Sequence, residues 1–191
     1  MATPRRPVIA VVGDAKLSET SPAYILTHNI GQALVEAGYR VLTGGLGGVM
    51  EAALRGARSS RLYAPGDTIG VLPGFDPDDA NQFADVIIPT GLDHARNSIV
   101  ASADALVAVG GGAGTLSEIC FAWMHNRLII GMRVDGWSCN LADQRVDQRQ
   151  RYPEIPDDRV YGANTEKDVI ATLEMQLPRY QRRHHGIRRR E

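Results

Sequence analysis

Several functional classes are excluded by what this chain has little of. Cysteine occurs twice in 191 residues, as Cys120 and Cys139. The two lie in unrelated contexts with no second ligand pair nearby, so neither a disulfide framework nor a zinc site is read from them, and a reducing compartment fits. Charge of one sign is not in excess either. The formal net charge is -1, which argues against a general affinity for nucleic acid or for an anionic membrane and leaves a small ligand as the expected partner. Long apolar runs are missing as well. The longest near the N-terminus, Val8 to Val12, is followed at once by Gly13 and Asp14. That is strand length, too short for a signal-peptide core or a membrane span, and a cytoplasmic protein is expected.

Neither an internal repeat nor a linker interrupts the remainder. Hydrophobic residues make up 43% and charged residues 23%, the balance of a globular domain. The length suits one domain, 1–191, with a core over about 7–177 and a basic tail over 178–191. In that tail Arg179, Arg182, Arg183, His184, His185 and Arg188 to Arg190 crowd together. Without interleaved aromatics they read as a solvated terminus.

The elements alternate. Val8 to Val12 is a β-branched, nearly continuous apolar run ending in glycine, the pattern of a strand buried on both faces. Ser21 and Pro22 supply a helix cap and a first-turn proline. Leu26, Ile30, Ala33, Leu34 and Ala37 then recur at helical spacing until Gly38 stops the helix. Strand signals follow at Tyr39 to Thr43, Thr68 to Leu72, Val86 to Ile88, Ala105 to Val109 and Leu128 to Ile130. Helices are expected over Val49 to Arg58, over His94 to Ser102 behind an Asp93 cap, over Thr115 to His125 and over Lys167 to Leu177, with Gly131 to Pro156 irregular. Alternation with short connections implies an α/β fold, a Rossmann-like three-layer sandwich around a mostly parallel sheet.

In such a sheet the loops after Val12, Thr43 and Val109 open at one edge, where ligands bind. All three carry glycine: Gly13 beside Asp14; Gly44, Gly45, Gly47 and Gly48; and Gly110, Gly111, Gly112 and Gly114. One such loop can be a tight turn and nothing more. Several on one edge, each leading into a helix N-terminus, let backbone N–H groups close on an anion such as phosphate. Within GGGAGTLSE at 110–118, Thr115 and Glu118 stand three apart, a spacing that favours a capping box. The other reading makes Glu118 a general base or a carboxylate that stabilises a cation. Arg96 falls in a first helical turn, where a cation opposes the helix dipole and an anion partner would relieve the conflict; a surface arginine paired to Asp93 is the plainer reading.

Other residues carry less. His28 and His125 have no metal-ligand companion at helical spacing, Cys120 reads as a buried inert thiol, and Asp76 to Asp79 lack calcium-loop spacing. Trp137 to Asn140 read equally as a lid over the ligand or as a surface loop.

Taken together, TGGLGGVMEAA at 43–53, ARN at 95–97 and GGGAGTLSE at 110–118 resemble the Lonely Guy (LOG) and molybdenum-cofactor-carrier-like superfamily, many of whose members are mislabelled lysine decarboxylases. The resemblance spans roughly Val8 to Leu177. It implies a nucleotide-like phosphorylated ligand, with Glu118 as the catalytic carboxylate, Arg96 as the substrate-positioning arginine beside Asn97, and Gly111, Gly112, Gly114 and Thr115 as the phosphate cradle. LOG enzymes hydrolyse the N-glycosidic bond of nucleoside 5′-monophosphates with no cofactor required. Their motif has proline where this chain has Gly110 and lysine where it has Asn97, departures that look more like the carrier-like branch. That branch implies bound molybdenum cofactor as cargo. The family also implies a homodimer or larger homo-oligomer.

Overall fold

Each strand of the molecule is a short apolar run closed by a turn former, and nearly every one is followed by a helix that returns the chain to the start of the next. The computed structural model describes residues 5–182. In chain order the elements are β1 (Val8–Gly13), α1 (Pro22–Glu36), β2 (Arg40–Thr43), α2 (Val49–Ser59), β3 (Thr68–Leu72), β4 (Val86–Pro89), α3 (Asn97–Val100), β5 (Ala105–Val109), α4 (Ala113–Met124), β6 (Leu128–Met132), α5 (Trp137–Leu141), β7 (Val160–Ala163) and α6 (Glu166–Gln176). Short 3-10 turns occupy Pro77–Asp79, Asp93–Arg96 and Leu177–Arg179.

The seven strands form one sheet in the order β4-β3-β2-β1-β5-β6-β7, and every neighbouring pair is parallel. From β1 to β4 the chain walks outward in one direction; it then returns to lay β5 against the free side of β1, pairing Ile9 with Ala105 and Gly13 with Val109. Strand order therefore reverses between β1 and β5, and a crevice opens beyond their carboxyl ends.

Alternation along β1 divides the core in two, since successive side chains point to opposite faces. Ile9 and Val11 join Ile30, Leu34 and Val49 on the face covered by α1, α2 and α6. Ala10 and Val12 join Ile119 and Trp123 on the face of α3 and α4. The result is the Rossmann-like three-layer α/β sandwich, with the sheet entirely parallel. Helix ends follow local chemistry. The Ser21 hydroxyl accepts from the Tyr24 amide at 3.2 Å, and α6 begins with a capping box between Thr165 and Asp168.

Four segments depart from the sequence reading. Val160–Ala163 forms an edge strand, β7, pairing Ile129 with Val160; four residues in a polar stretch give too little periodicity to reveal it. Trp137–Leu141 is a short helix in a region expected to be irregular. Asp93 does not cap a helix: it begins a 3-10 turn at φ 50 with no side-chain capping bond, and the α-helical part contracts to Asn97–Val100. The packed core also runs past Leu177, since Tyr180 is fully buried.

Tyr180 belongs to a closed network. Arg151 lies 3.6 Å above the Trp123 ring centroid and donates to Asp158 twice, at 2.9 and 2.6 Å. Its remaining contacts go to the carbonyls of Trp123 and Arg127 at 3.2 and 3.0 Å, and the Tyr180 hydroxyl donates to Asp158 at 2.7 Å. Every side of this buried pair is met, which is the condition under which burial of charge is tolerated. In the basic tail, Arg182 pairs with Glu154 at 2.9 Å and Arg179 bonds Gln176 at 2.7 Å. Arg183, His184, His185 and Arg188 to Arg190 lie outside the described residues. Among the described residues no helix is long and apolar enough to cross a membrane.

Candidate functional site

At the carboxyl ends of β1 and β5 a cleft of about 400 Å³ opens where the strand order reverses. Gly13, Asp14, Gly44, Arg96, Asn97, Gly112, Gly114, Thr115 and Glu118 line it. Four elements that are remote in sequence thus bring their residues to one place.

The floor is made by the turn from β5 into α4. Gly110 and Gly111 adopt φ 61 and 92, a left-handed conformation that glycine enters without the usual steric cost. This lets the helix begin at Ala113, with Gly112 as N-cap and no side-chain capping bond. Thr115 is therefore the third helical residue and Glu118 the sixth, so the capping box does not form. The amides of the first turn have no intrahelical acceptor, and the cleft-lining Gly112, Gly114 and Thr115 place that positive helix end at the ligand edge.

The protein itself holds the turn from behind. The Gly111 amide donates to Asp14 Oδ2 at 3.0 Å and the Gly110 amide to Ser138 Oγ at 2.7 Å. In return Trp137 and Ser138 donate their amides to the carbonyls of Gly111 and Gly110, each at 3.0 Å. The segment Trp137 to Asn140 thus buttresses the loop and is neither a lid nor a plain surface loop. Asp14 performs a second task, its carbonyl accepting from the Val49 amide at 2.9 Å. One residue ties two glycine loops together.

Arg96 is not a surface arginine. It is buried, and its Nη1 donates to Glu118 Oε1 at 3.0 Å and to Asn97 Oδ1 at 2.9 Å. Asn97 is held in turn by its amide bond to Ser117 Oγ at 2.8 Å. A Cβ at Gly44 would lie 2.5 Å from Arg96 Nη2, so the bare backbone at Gly44 makes room for the guanidinium. Arg96 Nε is buried with no hydrogen-bond partner. Asp93, the partner expected from spacing, is highly exposed and lies 3.9 Å from His94 instead. Burial pushes the Glu118 carboxyl up to about 7 against the opposing pull of the Arg96 charge.

The remaining glycines of the sequence reading stand behind the cleft wall. Gly45, at φ 77, backs onto Leu72, and Gly48 packs against Asp14 and Ala15. Gly47 comes nearest the Ala15 carbonyl, and the space a Cβ would need at Gly111 is filled by Thr115. Asn81 fixes this loop through bonds to the carbonyls of Gly45 and Leu46 at 3.1 and 2.8 Å. Sequence reasoning missed the apolar wall of Leu46, Met50 and Pro73, along with His94. Pro73 follows β3 directly, so the parallel topology was a signal that could have found it. Cys120 is only partly buried, and burial raises its thiol above the usual range. Among the described residues no group of three or more His, Cys, Asp or Glu side chains could hold a metal ion.

The model of the family described as SLOG cluster4 matches residues 6–161. A curated protein of Archaeoglobus fulgidus, described only as uncharacterized, is 39% identical over 126 residues, 65% of this chain and 79% of that protein. Among solved structures, the molybdenum cofactor binding protein of Rippkaea orientalis is 29% identical with a TM-score of 0.70, over 90% of this chain and 98% of that one. The molybdenum cofactor carrier protein of Chlamydomonas reinhardtii is 28% identical with a TM-score of 0.69, over 91% and 99%.

Proposed function

This chain belongs to the SLOG cluster4 family, and we propose that its cleft binds the phosphate of a phosphorylated pterin-type cofactor, with molybdenum cofactor as cargo that is held and not turned over. The observation that carries this reading is Arg96, a buried arginine with an unpartnered Nε that lines a cleft whose floor is an uncapped helix N-terminus. A buried guanidinium donor without an acceptor costs free energy on the order of 1–3 kcal/mol, which a bound phosphate oxygen would recover. Backbone amides of α4 would supply the rest of the cradle. Solved structures of a binding protein and a carrier protein for molybdenum cofactor, each similar over nearly their whole length, support the choice of ligand.

The pairing of Glu118 supports holding over hydrolysis. In a glycosidic hydrolase this carboxylate would face the ribosyl cation; here its Oε1 is occupied by Arg96. The second reading, a LOG-type phosphoribohydrolase acting on nucleoside 5′-monophosphates, is favoured by one observation, a cleft carboxyl whose pKa of about 7 suits general acid–base work. Native mass spectrometry of freshly isolated protein tests the two. A copurifying phosphorylated pterin, together with no free base from nucleoside monophosphates, supports the carrier; base release that Glu118→Gln abolishes supports the hydrolase.

A further inference from the structure

Beside the phosphate cleft lies a second hollow, of about 550 Å³, that shares Leu46, Pro73 and Asp93 with it and adds Phe75, Asp79 and Gly91. Leu46, Pro73 and Asp93 stand at the boundary, so the two hollows lie side by side. Phe75 is 83% exposed, so a large apolar ring is presented to the hollow and not to the core. It also touches a second loop. A Cβ at Gly91 would lie 2.0 Å from Phe75 Cε1, which means that the ring rests against bare backbone, and the Gly91 amide donates to the Gly74 carbonyl at 2.9 Å to fix the two loops together. An exposed aromatic ring with backbone on one side offers its other side to a planar heterocycle that can stack on it.

The carboxylates of the hollow face different parts of such a ligand. Asp93 lines both compartments, between phosphate and ring, whereas Asp79 lines only the outer one. Asp79 Oδ2 is 3.4 Å from where a Cβ of Gly74, the residue before Phe75, would lie. An ionised carboxylate only accepts hydrogen bonds, and its two oxygens match a pair of adjacent N–H donors. The amino-oxo pyrimidine edge shared by pterin and guanine presents such a pair, a ring N–H next to an amino group. Adenine presents an amino group next to an unprotonated ring nitrogen, which an ionised carboxylate would repel. From β5, at the phosphate site, to β3, which leads to Phe75, is three strand spacings, roughly 14 Å at about 4.8 Å each. With the reach of the side chains, one phosphorylated ring system can occupy both compartments.

We infer that the hollow at Phe75 and Asp79 is the ring subsite of the ligand, with Phe75 as stacking platform and Asp79 as acceptor for the amino-oxo pyrimidine edge, so that the site selects pterin or guanine over adenine. This rests on the phosphate site proposed above.

Calorimetric titration of the full chain with a hydroxymethylpterin phosphate, GMP, AMP and inorganic phosphate tests it. The wild type should bind the pterin phosphate or GMP more tightly than AMP, and whichever of the two is tighter identifies the source of the ring. Phe75→Ala, at an exposed position, should weaken both by about tenfold while leaving inorganic phosphate unchanged, and Phe75→Trp should restore them. Asp79→Asn should weaken both by about tenfold without affecting AMP. Equal binding of all three ring ligands by the wild type, or no effect of Phe75→Ala on them, overturns the subsite while inorganic phosphate still binds. Failure of the underlying reading looks different: inorganic phosphate does not bind or compete, and Arg96→Ala changes nothing.

Discussion

Arg96 and Glu118, 22 residues apart in sequence, meet at 3.0 Å inside the cleft, with side chains 10% and 8% exposed. The contact balances a buried cation with a buried anion and fixes the guanidinium at the ligand edge. Because Glu118 satisfies one donor of Arg96 and leaves Nε unpartnered, the arginine is both held and still able to receive an anion. Removing either residue therefore has two consequences, one for binding and one for stability.

Arg96→Ala should weaken binding of a phosphorylated ligand by about 2 kcal/mol, the range for a desolvated charged hydrogen bond. It also leaves Glu118 buried without its cation. The carboxyl would then hold its proton more strongly, so the stability cost should be small well below the wild-type Glu118 pKa of about 7 and grow well above it. Thermal melts of both proteins on the two sides of that pKa check the sign. An equal difference at both would mean that Glu118 does not carry the effect.

Glu118 itself sets a pH dependence. Its folded-state pKa is raised from 4.5 to about 7, so the folded protein binds the proton more tightly than the unfolded chain. The associated stability is fully present below about 4.5 and is lost as pH rises through about 7. Glu118→Gln should flatten the stability profile in that window. The same proton should favour ligand binding, because neutral Glu118 no longer repels an anion at Arg96. The second pKa of a phosphate monoester, about 6, works in the opposite direction, and binding should be tightest between the two values. Affinity measured across this pH range, in wild type and Glu118→Gln, checks it; a wild-type affinity that rises with pH through 7 would speak against the repulsion.

Gly114 separates function from stability. A Cβ added there meets nothing within 4 Å, and the residue is the second of α4 with a helical backbone, where replacing glycine by alanine stabilises by about 0.4–1 kcal/mol through the unfolded chain. Gly114 also lines the cleft, where an added methyl would crowd a bound phosphate. Gly114→Ala should therefore raise the melting temperature while weakening the phosphorylated ligand. A stabilised variant with unchanged affinity would place the ligand elsewhere.

The Arg151–Asp158 pair tests the account of the fold. Asp158→Ala leaves a buried guanidinium and the Tyr180 hydroxyl without their shared acceptor, and should cost about 3–5 kcal/mol. Denaturant unfolding of the variant reads this directly.

How far the sequence could be read depended on whether the signal was local. The run Val8 to Val12, the Ser21 cap and the Gly38 stop are each settled by neighbours along the chain, and six of the seven strands were legible in that way. The glycine loops could be placed at one edge because parallel topology dictates it. The Arg96–Glu118 contact was not legible, because it depends on how α3 packs against α4. The capping box was misread for a physical reason: Gly110 and Gly111 turn early enough for α4 to start at Ala113, which moves Thr115 and Glu118 inside the helix. Likewise the platform at Phe75 exists only because Gly91, from another loop, comes to lie beneath its ring.

The central claim, an anion held jointly by Arg96 and the start of α4, is tested most directly by a crystal structure of the protein with a phosphorylated pterin. The expected result is phosphate oxygens within hydrogen-bonding distance of Arg96 Nε and of the Gly114 and Thr115 amides, with the ligand intact. A ligand whose phosphate lies elsewhere, with Arg96 Nε still without an acceptor, would contradict it.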